Sequence, residues 1–144
     1  MKAVDQTKFG FPHGNCFEAC VASILELPLK ECVIFTDGVD EKSELDQATQ
    51  KHWWQVFVEW ALHRDLIPVF ILAGDFRGKA PRGYSIVSGK GPRGLDHSTV
   101  GCDGKIVHDP HPSRAGLLSV RDFIVLLPAV ERELERRDDD RPRP

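Results

Sequence analysis

This chain contains no apolar run of membrane-spanning length, so no membrane partner is expected. Its first six residues, Met-Lys-Ala-Val-Asp-Gln, lack the apolar segment of a secretory signal. The expectation is a cytoplasmic protein with reduced thiols. Basic residues are not in excess. The formal net charge is −3, which argues against a general nucleic-acid binder. None of the four cysteines, Cys16, Cys20, Cys32 and Cys102, belongs to a Cys-x-x-Cys pair, so structural zinc lacks its usual spacing. The glycine-bearing loop at 88–94 has no Gly-Lys-Ser/Thr to cradle a phosphate. His13, His108 and His111 could be combined with His97 and Cys102 as metal ligands, but Pro110 forbids a helix that would align His108 with His111. No metal and no cofactor is expected.

What is present begins with Gly14-Asn15-Cys16-Phe17-Glu18-Ala19-Cys20-Val21-Ala22-Ser23-Ile24-Leu25. Asn15 is a good N-cap, and Glu18 three positions on completes a capping-box pattern. The apolar residues from Ala19 to Leu25 continue a helix that Pro28 ends. Cys16 is then the first helical residue, at the positive end of the helix dipole, where thiolate is favoured and nucleophilic. The alternative is a small buried cysteine, a common role for a free thiol. Cys20, one turn deeper on the same face, reads as core packing.

A length of 144 residues suits one domain, over 1–128, followed by a charged tail at 129–144 that is partly disordered. Residues 1–14 form an irregular approach with Gln6 and His13 as polar candidates. Asp37, Asp40, Glu41, Glu44 and Asp46 lie in an acidic surface connection. A second helix spans roughly 46–64, capped by Asp46, with Trp53, Phe57, Trp60, Ala61 and Arg64 at helical spacing. Its tryptophans read as core rather than as a ligand platform. Strands follow at 67–72, compatible with a buried position, and at 84–88. The run 120–127 reads as a last strand, with a helix as the alternative because Ser119 and Asp122 fit a capping box.

The strongest hairpin signal is Cys102-Asp103-Gly104 between 97–101 and 105–109. A two-residue turn pairs 102 with 105, sets His97 opposite Pro110 and points Asp109 to the other face. A three-residue loop pairs 101 with 105 and sets His97 opposite Asp109 on one face. Both turns suit the sequence, and only the second builds a His–carboxylate pair.

A cysteine opening an N-terminal helix, then Asp-His-Ser-Thr-Val on one strand, then His-Asp-Pro ending the next, resembles the papain-like cysteine peptidases. The likeness is to the compact bacterial and phage branch that includes the bacteriocin double-glycine-leader peptidases. It covers 14–25 and 97–110 well and the middle in outline. The resemblance implies an α+β, papain-like fold, with the Cys-bearing helix packed on an antiparallel β-sheet and a second helix covering the core. It implies Cys16 as nucleophile, His97 as general base and acid, and Asp109 as orienter of the imidazole. The family's oxyanion glutamine stands six residues before the cysteine, where this chain has Gly10. Gln6 is the nearest glutamine, four residues too early, and an insertion in the loop could restore its place. The function implied is thiol-dependent hydrolysis of a peptide or amide bond in a peptide or protein substrate. An acyltransferase using the same thiolate, or a catalytically silent protein-binding module, are the alternatives.

Overall fold

The structure is a computed structural model and describes residues 1–11, 13–32 and 51–132. Residues 33–50, with the acidic stretch and the Asp46 cap expected there, and the tail 133–144 lie outside the described residues. The fold is α+β. Helix α1 (Cys16–Leu25) and helix α2 (Trp53–Leu62) accompany five strands: β1 (Leu66–Leu72), β2 (Tyr84–Lys90), β3 (Asp96–Cys102), β4 (Lys105–His108) and β5 (Ser119–Pro128). All pairings in the sheet are antiparallel, in the order β1-β5-β2-β3-β4. Among the described residues no helix is long and apolar enough to cross a membrane.

Helix α1 packs on β3 and β2, and α2 packs on β1. One register line of the sheet, Phe70–Ile124–Ile86–Val100, runs beneath the helices. Ile124, Ile86 and Val100 on that line join Phe17, Cys20, Val21, Phe57 and Trp60 in the core. Fully burying an Ile or Phe side chain contributes about 1.5–3 kcal/mol, so this cluster is the main glue of the domain. Cys20 is completely buried, as its position one turn below Cys16 requires. Trp60 takes the core role expected of all three tryptophans, with Arg64 stacked 4.1 Å over its ring. Trp53 and Trp54 are only half-buried.

Several boundaries differ from expectation for identifiable reasons. Helix α1 stops before Pro28, because Glu26 turns left-handed (φ 56°) and its N–H bonds back to the Ala22 carbonyl. Helix α2 starts at Trp53, where the His52 imidazole accepts from the Trp54 N–H. The run 67–72 is the sheet's edge rather than a buried strand, which is where Pro68 is tolerated; Ile67, Phe70 and Leu72 are exposed. The last run is a strand throughout and pairs with β1 and β2, so the helical alternative falls. Ala129 donates to the Asp65 carbonyl (2.8 Å), so the first residue of the expected tail is tied to the domain.

The N-terminal segment is stitched to both α1 and the sheet. Lys2 N–H donates to the Ser23 carbonyl (3.0 Å), Val4 N–H to the Ser23 hydroxyl (2.9 Å), and Gln6 N–H to the Pro110 carbonyl (3.1 Å). His108 Nε2 donates to the Val4 carbonyl (2.9 Å). These bonds carry residue 6 to the end of β4.

Between Ser88 and Gly89 the β2–β5 ladder slips, and a Cβ on Gly89 would stand 2.0 Å from the Ser119 carbonyl oxygen. Gly89→Ala is therefore expected to cost about 1–3 kcal/mol by forcing β2 and β5 apart. Gly74→Ala, with open space around it, should stay within about 0.5 kcal/mol of wild type. Urea unfolding of both variants checks the contrast.

Candidate active site

The β3–β4 hairpin starts in the first of the two expected registers, with the two-residue turn, and leaves it one step on. Cys102 pairs with Lys105 around Asp103 (φ 51°) and Gly104 (φ 80°), the two positive φ values of a type I′ turn. Alone, that turn would send Asp109 to the far face. One step on, Gly101 pairs with Ile106 but Val100 pairs with His108, leaving Val107 as the extra residue of a bulge. The slip changes the parity of everything beyond it. Continued past His108, the ladder sets Asp109 beside Thr99, on the face to which His97 belongs. His97 Nε2 and Asp109 Oδ1 are 2.7 Å apart, and both residues are buried.

The Pro-rich turn after β4 wraps the Asp109 carboxylate. Oδ1 also accepts from the His111 N–H (2.9 Å), and Oδ2 accepts from the Gly116 N–H (2.7 Å). Burial pushes the Asp109 carboxyl up, but the His97 bond and the two backbone N–H groups outweigh it and hold the pKa below the ordinary value. An ionised carboxylate can only accept, so Nε2 of His97 is the donor in this bond. Arg114 clamps the turn from outside. It donates to the Asp109 carbonyl and forms a two-pronged pair with Asp5 (2.6 and 2.9 Å).

Cys16 is the first residue of α1 and is half-buried. It lines a cleft of about 1060 Å³ together with Gln6, His97, Ser98 and His111. The charge state of its thiol differs from expectation. Burial pushes the pKa up, the Ser98 backbone draws it down, the Glu18 carboxylate raises it again, and the net direction is upward. The helix start does not by itself hold a thiolate, because burial of the thiol outweighs it, with the buried Glu18 adding in the same direction. Cys20 is driven well above its ordinary value by burial, and Cys32 to about 12. The capping box is also absent. The Asn15 side chain makes no cap bond; its Oδ1 accepts from the Thr7 and Lys8 N–H groups (3.0 Å each) and Nδ2 donates to the Thr7 hydroxyl (3.0 Å).

That use of Asn15 explains where Gln6 sits. Asn15 N–H donates to the Lys8 carbonyl (3.2 Å) and Gly14 N–H to the Gly10 carbonyl (2.7 Å), so residues 8–15 close on themselves as a loop. Gln6 borders the same cleft as Cys16. Gln6 is 7% exposed; Nε2 donates one hydrogen to the Lys8 carbonyl (2.9 Å), and Oε1 has no hydrogen-bond partner.

The structure therefore brings Cys16, His97 and Gln6 to one cleft, with Asp109 bonded to His97 outside its lining, and His13 does not line it. Other residues there were not assigned to this site from sequence. Ser98 abuts the Cys16 thiol, His111 stands edge-on to His97 (6.2 Å between rings), and Asp122 and Ser88 lie deeper in. Ser98 directly follows His97 and could have been found there; the others depend on strand register. Among the described residues no group of three or more His, Cys, Asp or Glu side chains is disposed to hold a metal ion. Comparison with protein-family models, with curated proteins and with solved structures returned no match.

The lowered Asp109 pKa fixes the sign of one acid response. Stability from its ionised form is present above the unfolded value near 3.8 and is lost as pH falls through the lower folded value. Asp122, whose pKa burial raises, acts in the opposite sense, so the isolating comparison is wild type against Asp109→Asn. Melts between pH 5 and pH 2 should fall more steeply for wild type. On the alkaline side, raised Cys32 stabilises below 9.0 and loses that contribution as pH rises toward about 12, a limb that Cys32→Ala should flatten.

Proposed function

We propose that this chain is a papain-like cysteine hydrolase that cleaves a peptide or amide bond through Cys16, His97 and Asp109. The observation that carries the reading is the buried 2.7 Å bond between His97 Nε2 and Asp109, which leaves Nδ1 free as a base in the cleft that Cys16 opens into.

Each residue has a defined task. Because burial keeps Cys16 a thiol at neutral pH, attack is base-assisted. Nδ1 takes the thiol proton as sulfur bonds to the carbonyl carbon, and Asp109 stabilises the imidazolium. The oxyanion is held by the Cys16 N–H, one of the helix's first donors without an intrahelical acceptor, and by the second Nε2 hydrogen of Gln6. Collapse breaks the C–N bond, and His97 returns the proton to the departing amine. His97 then deprotonates a water, which attacks the thioester, and the thiol is restored as the acid leaves. No cofactor enters these steps, and the four free cysteines fit a reducing, cytoplasmic setting. An amine in place of water would make the same site an acyltransferase, which the product identifies.

A peptidyl electrophile that alkylates active-site thiols, read by intact mass and peptide mapping, tests the reading. Label should fall on Cys16 alone. Cys16→Ala and His97→Ala should lose both labelling and turnover, to similar extents because members of one catalytic unit are not additive. Asp109→Asn should retain more than either, since an amide can still orient the ring. Gln6→Ala should lower turnover by about 10²–10³. Preferential labelling of Cys102 would leave the silent binding module as the reading.

Chemistry and stability should separate cleanly between the two helix cysteines. Cys16→Ala should melt close to wild type, whereas Cys20→Ser places a hydroxyl in the core at a cost of about 1–3 kcal/mol. A Cys16→Ala melt far below that of Cys20→Ser would mean that the two assignments are reversed.

A further inference from the structure

Two register lines beyond the apolar row, on the same face, the sheet carries polar residues in a region otherwise bordered by aromatics. Asp122 on β5 pairs with Ser88 on β2, and Ser88 pairs with Ser98 on β3, whose backbone and hydroxyl meet the Cys16 thiol. The two hydroxyls are 2.8 Å apart. All three residues line the cleft. With strands about 4.8 Å apart, Asp122 stands roughly 10 Å across the sheet from Ser98. It is a carboxylate at the deep end of the floor that starts under Cys16.

Asp122 is 2% exposed, and the hydrolytic steps do not use it. Arg121 Nε donates to its Oδ2 (2.8 Å), while Oδ1 has no hydrogen bond or ion pair among the described residues. The same Arg121 donates through Nη1 to Asp96 Oδ2 (2.6 Å). Two carboxylates thus share one guanidinium. Arg93, the other cation on the rim, is turned to the Ser113 hydroxyl (3.0 Å). The wall above the floor is aromatic: Trp53 and Trp54 from α2 and Phe70 from β1, with Trp54 and Phe70 edge-to-face at 5.8 Å. A buried anion with an open oxygen beneath aromatic faces complements a long cationic side chain, whose stem lies on the rings and whose head reaches the carboxylate.

We propose that Asp122 and this aromatic wall form a subsite for a lysine or arginine side chain of the substrate, close to the bond that Cys16 attacks. The proposal rests on the hydrolase reading for the position of the scissile bond, but the subsite itself is a binding property. It makes Asp122 a specificity residue and leaves the chemical steps to the other four.

The test uses N-acetylated peptidyl electrophiles that differ at one position, lysine against norleucine, its uncharged counterpart, scanned over the three residues before the electrophile. A third probe carries norleucine with a free N-terminus. At one position lysine should label Cys16 at least about tenfold faster than norleucine. Asp122→Asn, isosteric and still able to accept from Arg121, should erase the difference between the lysine and norleucine rates. Equal rates in wild type, or a lysine preference that survives Asp122→Asn, overturn the subsite. A gain seen only with the free N-terminus overturns the side-chain assignment in favour of a terminal amine. If no probe labels Cys16, the hydrolase reading fails and binding decides the subsite separately. The corresponding unreactive peptide amides are titrated into Cys16→Ala protein, and the Asp122 carboxyl carbon resonance is followed by NMR. A shift with lysine and none with norleucine upholds the subsite; the same response to both, or to neither, overturns it. That measurement needs no substitution at Asp122.

Discussion

The Asp109 carboxylate is the point on which this end of the molecule depends. A buried carboxylate is tolerable only when its oxygens are satisfied. Here that requirement gathers three chain segments. His97 comes from β3, and the His111 and Gly116 N–H groups come from the turn after β4. The N-terminal segment joins through the neighbouring residues, since Pro110 accepts from Gln6 and Arg114 grips Asp5. Hydrogen bonds to charged groups contribute about 1.5–3 kcal/mol each, and an unmet acceptor costs about as much, so the turn, the imidazole and the first strand-like stretch are held as one unit. The groups that would perform the chemistry are thereby fixed by the same bonds that close the fold.

That arrangement exists only because of a one-residue slip. Side chains alternate along β4, so the type I′ turn at Asp103-Gly104 would by itself place Asp109 away from His97. The bulge at Val107 reverses the alternation within four residues of the turn. A second slip, at Ser88 and Gly89, re-aims β2 against β5 near the cleft, where only glycine fits under the Ser119 carbonyl. The second slip lies at the site end of the sheet and the first, near the hairpin turn, sets which face Asp109 takes there, while β1 and β5 pair without interruption over seven residues. Regular pairing builds the core, and departures from it aim the functional groups.

This division explains what could be read from the sequence. Cys16 at a helix start, the strand character of β2 to β5 and the Asp-Gly turn are local properties, carried by neighbours in the chain. The composition of the site, Cys16 with His97, Asp109 and Gln6, was also legible. Its geometry was not. A bulge has no signal in Lys-Ile-Val-His, where every residue suits a regular strand. The Lys8–Asn15 loop that brings Gln6 into line depends on Asn15 serving Thr7 and Lys8 instead of capping α1. Asp122 looked like a capping residue because its neighbours across the sheet, Ser88 and Leu72, are distant in sequence. The edge position of β1 was hidden for the same reason: strand order is a tertiary fact.

The state of the Cys16 thiol follows from the competition between two properties of α1. A helix N-terminus stabilises negative charge within its first turn. A helix that buries residues 17–23 also strips water from that turn and brings Glu18 in as a second buried acid. Desolvation prevails, and the thiol stays protonated at neutral pH. Under the proposed mechanism this places the burden of activation on His97, whose ring is oriented by its Nε2–H bond to Asp109. A protonated thiol also resists adventitious oxidation and alkylation, because thiolate is the reactive form. Under the proposed mechanism burial would make reactivity conditional: the proton would leave Cys16 only when an acyl group occupies the cleft to accept the sulfur and the oxyanion donors are engaged.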